Sequence, residues 1–147
     1  MGGIIITAIR MIRKIKGKEK IKELENQYKN IENLKRLLET DEGNMLHKLD
    51  LENWEYYLEN PEEYLEEGKT IFVQGISLGE LEFELMHLIK TKKPKSVSEL
   101  AKLLNKKTST ISNKVNLLEK EGLIELKTGS KNRKIPIFNY DKLEIPI

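Results

Sequence analysis

The chain contains no cysteine, which removes disulfides, thiol catalysis and cysteine-ligated zinc from consideration. Its two histidines, His47 and His87, have no paired spacing and no ligand-bearing context, so no metal is expected. Apolar runs are short, none near the roughly 20 residues needed to span a bilayer. The apolar start ending at Ile9 is followed by basic residues without a small-residue cleavage site. Ile6 stands where a myristoylation signal requires Ser or Thr. These absences lead to the expectation of a soluble cytoplasmic protein without membrane association. Signs of catalysis are equally sparse. Glu62, Glu63, Glu66 and Glu67 crowd together as a solvated helix face would. The Thr-Ser-Thr stretch from Thr108 lacks a base, and Gly75 and Gly79 are followed by no Gly-Lys-Ser/Thr. The expectation is a non-enzyme that needs no cofactor. Two glutamines beside abundant Lys, Glu and Ile hint at a thermophile or an AT-rich genome.

What is present is charge, unevenly spread. Charged residues make up 34% of the chain, yet the net charge is only +2. Residues 1–20 carry six basic and one acidic side chain, residues 21–40 balance, residues 41–90 carry three against thirteen, and residues 91–147 carry thirteen against six. A basic end suits a polyanion, and the acidic 41–90 segment could itself meet a basic protein partner.

Periodicity divides the chain further. Residues 4–15 are apolar and basic, and either helix or strand fits them. From Lys18 to Glu39 no breaker intervenes, and Ile21, Leu24, Tyr28, Ile31 and Leu38 form a helical stripe suited to dimerisation or to packing within the chain. A second helix is predicted from about Met45 to Glu59. Asn60-Pro61-Glu62-Glu63 reads as the start of a short helix ending at Gly68, followed by a brief strand at Thr70–Val73. Ser77 with Glu80, and Ser96 with Glu99, are two capping boxes that open helices. Asn105 suits a left-handed turn, Thr108 can cap a third helix, and Gly122 stops it. Leu123–Leu126 and Lys134–Phe138 alternate as strands about a polar turn.

Helix, three-residue turn, helix and hairpin is the order of a winged helix-turn-helix. If Leu100, Leu104, Ile111 and Val115 hold the two helices together, the second helix is left with Ser109, Ser112, Asn113 and Asn116 facing outward. Such short polar side chains can read base edges in a major groove. Lys106, Lys107, Lys114, Lys127, Lys131, Arg133 and Lys134 would meet phosphates. The stretch Ser96-Val-Ser-Glu-Leu-Ala, then Thr108-Ser-Thr-Ile-Ser-Asn-Lys-Val, then Leu117-Leu-Glu-Lys-Glu-Gly-Leu-Ile resembles the MarR-type and related archaeal winged-helix regulators. The ending Pro136-Ile-Phe-Asn-Tyr-Asp-Lys-Leu-Glu-Ile resembles a group of small prokaryotic predicted regulators, some thought to act as antitoxins. The resemblance covers about residues 77–147. It implies dimeric binding to double-stranded DNA and local repression, with Ser109, Thr110, Ser112, Asn113 and Asn116 facing DNA and Thr108 beside the phosphates. Asn113 stands where an arginine is common in such proteins.

The expectation is therefore a mainly α fold with a small β component (α+β). An N-terminal helical segment, residues 1–74, would precede a winged helix-turn-helix domain, residues 75–147. The function expected is a sequence-specific DNA-binding regulator, a homodimeric repressor. The alternative is a winged helix used as a protein–protein module in a larger transcription or chromosome-organising complex.

Overall fold

A computed structural model describes residues 6–41, 44–74 and 78–146. Ser77, expected to cap a helix, lies outside them. The described chain is mixed α/β, with more strand than the sequence suggested. It runs β1 (Ile6–Lys16), α1 (Gly17–Tyr28), α2 (Ile31–Thr40), α3 (Met45–Glu59), β2 (Tyr64–Gln74), α4 (Glu80–Lys92), α5 (Val97–Leu104), α6 (Thr108–Lys120), β3 (Glu125–Thr128), β4 (Lys134–Ile137) and β5 (Lys142–Glu144). One sheet has the order β2-β1-β5, the other pairs β3 with β4. No described helix is long and apolar enough to cross a membrane.

The chain divides into two compact units. One comprises Lys14–Glu67, the other Met1–Arg13 together with Gly68–Ile147. The units divide within β1 and β2, after residues 13 and 67, where the sequence suggested one boundary near residue 74.

In the helical unit the predicted single helix from Lys18 to Glu39 is broken. Lys29 takes φ 73°, and Asn30 caps α2 by accepting the Asn33 N–H at 2.9 Å. The side-chain amide of Asn33 donates in turn to the Tyr28 carbonyl at 2.9 Å. The break lets α2 fold back, so the stripe closes on itself. Ile21, Leu24, Tyr28 and Leu34 are buried with Trp54 of α3, while Ile31, Leu51 and Tyr57 pack against them. The stripe expected to serve dimerisation or internal packing lies largely in the unit's own core: Ile21, Leu24 and Tyr28 are buried, and Ile31 and Leu38 are half-buried.

A second correction concerns residues 61–67. Asn60 closes α3, its N–H donating to the Tyr56 carbonyl at 3.1 Å, and Pro61 and Glu62 form a turn. From Tyr64 burial alternates every second residue, with Leu65 and Glu67 half-buried and Ile71 and Val73 buried, the periodicity of a strand. The turn is held to the start of α1: Gly17 N–H donates to the Glu63 carbonyl at 2.7 Å and Lys18 N–H to the Pro61 carbonyl at 2.9 Å. Glu62 pairs with Lys16 at 3.0 Å and Lys18 at 3.3 Å. Gly17 is required by crowding, because a Cβ there would lie 2.5 Å from Tyr57 Cδ1.

The larger unit has its own core. Ile9 and Met11 of β1, Ile71 and Val73 of β2, Leu85, Met86 and Ile89 of α4, Leu100 and Ala101 of α5, and Ile111, Val115 and Leu118 of α6 share one apolar cluster with Leu123, Ile124 and Phe138. The end of the chain ties to its beginning as β5 pairs antiparallel with β1, Met11 opposite Leu143.

Inside the helical unit the Tyr28 hydroxyl donates to Asp50 Oδ2 at 2.5 Å, and both residues are buried. Burial, then the hydrogen bond to Asp50, push the phenol from its usual 10.0 up to about 12. A raised pKa stabilises the fold fully below pH 10, and that stability drains away as pH rises through 12. Tyr28→Phe, which leaves Asp50 buried without its donor, should cost on the order of 2 kcal/mol at pH 8. In paired denaturant titrations the gap between wild type and variant should narrow between pH 10 and 12; a gap constant with pH would contradict the assigned role.

Candidate nucleic-acid interface

The candidate surface is built on α5 and α6. Ser96 Oγ accepts the Glu99 N–H at 3.0 Å and caps α5, and the Glu99 carboxylate reaches back past the cap to accept the Lys95 N–H at 3.1 Å. Asn105 closes it in the left-handed region, φ 54° and ψ 45°, its N–H bonding back to α5 carbonyls. Three residues then turn the chain into α6, with Lys106 N–H held by the Ala101 carbonyl at 3.0 Å. Lys107, extended at φ −65° and ψ 138°, occupies the cap position without a side-chain bond. Thr108 is thus the first helical residue and does not cap the helix as expected.

Helix α6 buries one face. Ile111, Val115 and Leu118, at steps of four and three, are completely enclosed. Ser109, Asn113, Asn116 and Lys120 recur at steps of four, three and four on the opposite side, and all are exposed. Thr110 is exposed on the flank and Ser112 is half-buried. Lys120 was not among the residues expected here, although its spacing from Asn116 identifies it. Asn113, Asn116, Leu117 and Lys120 together line a shallow hollow.

Lys114 belongs elsewhere. Its ammonium donates to Glu82 Oε1 of α4 at 2.9 Å, while Glu82 Oε2 accepts the Gly79 N–H at 3.0 Å. Glu82 is buried. The bond from Lys114 holds its carboxyl below the usual range, assisted by backbone N–H groups and opposed by burial. Lys114 lies on the inward edge of α6 and is a strut between helices. The phosphate contact expected of Lys114 therefore falls on an ammonium that already pairs with Glu82.

Beyond α6, Gly122 turns at φ 87° and leads through buried Leu123 and Ile124 into β3, two residues later than the predicted strand start. The hairpin pairs Glu125 with Ile137 and Thr128 with Lys134. Its tip closes with Gly129 N–H on the Arg133 carbonyl at 2.7 Å, and Lys131 and Asn132 adopt φ of 58° and 59°. A Cβ at Gly129 would lie 2.7 Å from Ile135 Cδ1, so a larger residue there would have to push the end of that side chain aside. Lys127, Lys131, Arg133 and Lys134 are all exposed, with Lys134 Nζ donating to Thr128 Oγ1 at 3.0 Å. Arg133 shares a polar hollow with Ser96, Ser98, Glu99 and Lys102 at the start of α5. Ser98 and Lys102 were not expected at the interface; their four-residue spacing on one face of α5 is the signal that marks them.

The acidic stretch of residues 41–90 is distributed over both units. Asp50, Glu62, Glu63, Glu67 and Glu82 are all engaged by side chains of this chain. Among the described residues no group of three or more His, Asp and Glu side chains could hold a metal ion.

Among known families, the model described as HVO_A0114 is similar to residues 77–145. No curated protein and no solved structure matches the chain.

Because a lowered carboxyl pKa stabilises above the unfolded value of about 4.3 and that stability is lost as pH falls, Glu82→Gln should destabilise the fold by roughly 1–3 kcal/mol at pH 7. The deficit should shrink as the pH is taken below that value. Denaturant unfolding of both proteins at pH 7 and pH 3.5 measures this; an equal deficit at the two pH values would show that the ion pair contributes nothing.

Proposed function

We propose that the chain is a sequence-specific regulator that binds double-stranded DNA through α6 and the β3–β4 hairpin, in the manner of a winged helix of MarR-like type, acting as a cytoplasmic homodimeric repressor. The observation that carries this reading is the outer face of α6. Ser109, Asn113 and Asn116 stand exposed there, and the helix has no acidic residue before Glu119. Lys106, Lys107 and Lys120 bracket this face, and the hairpin adds Lys127, Lys131, Arg133 and Lys134. Amides that can pair bidentately with adenine, with cations around them and no carboxylate on the helix before Glu119, have the chemistry of a groove reader. The helix is held in place by its buried face and by Lys114 on Glu82.

A second reading has an observation of its own. Leu103 and Leu117 are about half exposed on α5 and α6, and a protein partner would cover them where DNA would not.

Binding to fragmented genomic DNA at moderate salt, followed by sequencing of what is retained, should yield a short inverted repeat. On that site Asn113→Ala and Asn116→Ala should each weaken binding by about tenfold or more while random DNA is bound as before. Replacing Lys131 and Arg133 by Ala should weaken both kinds of DNA and flatten the salt dependence by about one unit of slope for each phosphate no longer neutralised. Equal weakening on specific and random DNA for the Asn changes would refute the assignment to base reading. No retention of DNA would turn the surface over to a protein partner.

A further inference from the structure

Helix α3 has a second face that the core of its unit does not use. Trp54, Asp50, Leu51 and Tyr57 point inward, whereas Met45, Leu49 and Tyr56, separated by four and seven residues, share the opposite side with Leu46 beside them. Their exposures are 75%, 52%, 50% and 60% in the order Met45, Leu49, Tyr56, Leu46. Met45, Leu46, Leu49 and the ring of Tyr56, whose hydroxyl donates to Glu63, line one side of a 15-residue helix and make an apolar patch of the kind that marks an interaction surface. The charges say which kind. Lys48 lies near the start of the helix and Glu55 and Glu59 towards its end, while Glu52 stands at the middle, on the face itself between Leu49 and Tyr56, all exposed. Three carboxylates on and beside the patch reject a polyanion. One lysine before the midpoint and two glutamates beyond it form a pattern that complements itself only when turned end for end.

We infer that the outer face of α3 is the surface on which two copies of this chain associate, with the two α3 helices antiparallel about a two-fold axis near Leu49–Glu52. That arrangement sets Met45 of one copy beside Tyr56 of the other, and it opposes Lys48 to Glu55 of the other copy twice over. An isologous contact of this kind closes on itself and yields a dimer rather than a filament. A single pair of helices lies at the small end of protein interfaces, which corresponds to dissociation constants on the order of micromolar. Such a dimer is the one the DNA-binding reading requires, but it rests on α3 alone and is tested without DNA, so either can fail while the other stands.

Sedimentation of the full chain over a concentration series up to about 100 µM should show a monomer–dimer equilibrium. Leu49→Glu should abolish it. Lys48→Glu and Glu55→Lys should each weaken it at least about tenfold by creating like-charge pairs, and the double variant should recover to near wild type. Every one of these side chains is exposed, and circular dichroism of each variant verifies that the helical content is unchanged. A chain that stays monomeric at the top concentration overturns the inference. So does a dimer that survives Leu49→Glu, or a double variant as weak as the single ones.

Discussion

A helix can bury only one face, and nearly everything of interest in this molecule follows from how α6 uses that limit. Ile111, Val115 and Leu118 are withdrawn completely into the core of the larger unit, at a gain of roughly 1.5–3 kcal/mol for each side chain. Their burial fixes the rotation of the helix about its axis, so the choice of which residues face water is no longer free. Ser109, Asn113, Asn116 and Lys120 are outward because the apolar positions lie between them. Lys114, on the boundary, is captured by Glu82 and fastens α6 to α4 where apolar packing gives out. The presentation of short amides to solvent is thus a consequence of packing, and the cations on the turn and the hairpin give that surface its sign.

The helical unit obeys the same limit in another form. The chain leaves β1 at Lys16, makes three helices, and returns along β2. Closure depends on Gly17, where backbone and the Tyr57 ring meet too closely for any side chain, and on Lys16, Lys18 and Lys20 meeting Glu62 and Glu67. At its centre one polar pair, Tyr28 with Asp50, is buried and satisfied internally. The inward stripe of α1 and the inward face of α3 consume each other, which is why the apolar residues left over on α3 are conspicuous.

Local signals were legible in the sequence where the structure depends on near neighbours. The cap at Ser96, the left-handed turn at Asn105, the stop at Gly122 and the span of α3 all rest on contacts within a few residues, and each is found where its residues indicate. What depended on distant partners was not legible. Asn60-Pro61-Glu62-Glu63 has the local chemistry of a helix start, yet the segment after it becomes a strand because β1, on the far side of the inserted unit, offers it an edge. The break at Lys29 needed no glycine or proline; Asn30 and Asn33, three apart, were its only local mark. Within the candidate interface, the exposed face of α6 was readable from periodicity. The capture of Lys114 by Glu82, 32 residues earlier, was not, since spacing along one helix says nothing about which neighbour stands beside it.

Binding of DNA by α6 and the β3–β4 hairpin is tested most directly by backbone amide NMR of the labelled chain during titration with a duplex carrying a retained genomic site. Shifts confined to residues 106–120 and 127–134, disappearing as salt is raised, are the predicted result. Perturbation centred on α3, or spectra unchanged by excess duplex at low salt, would contradict it.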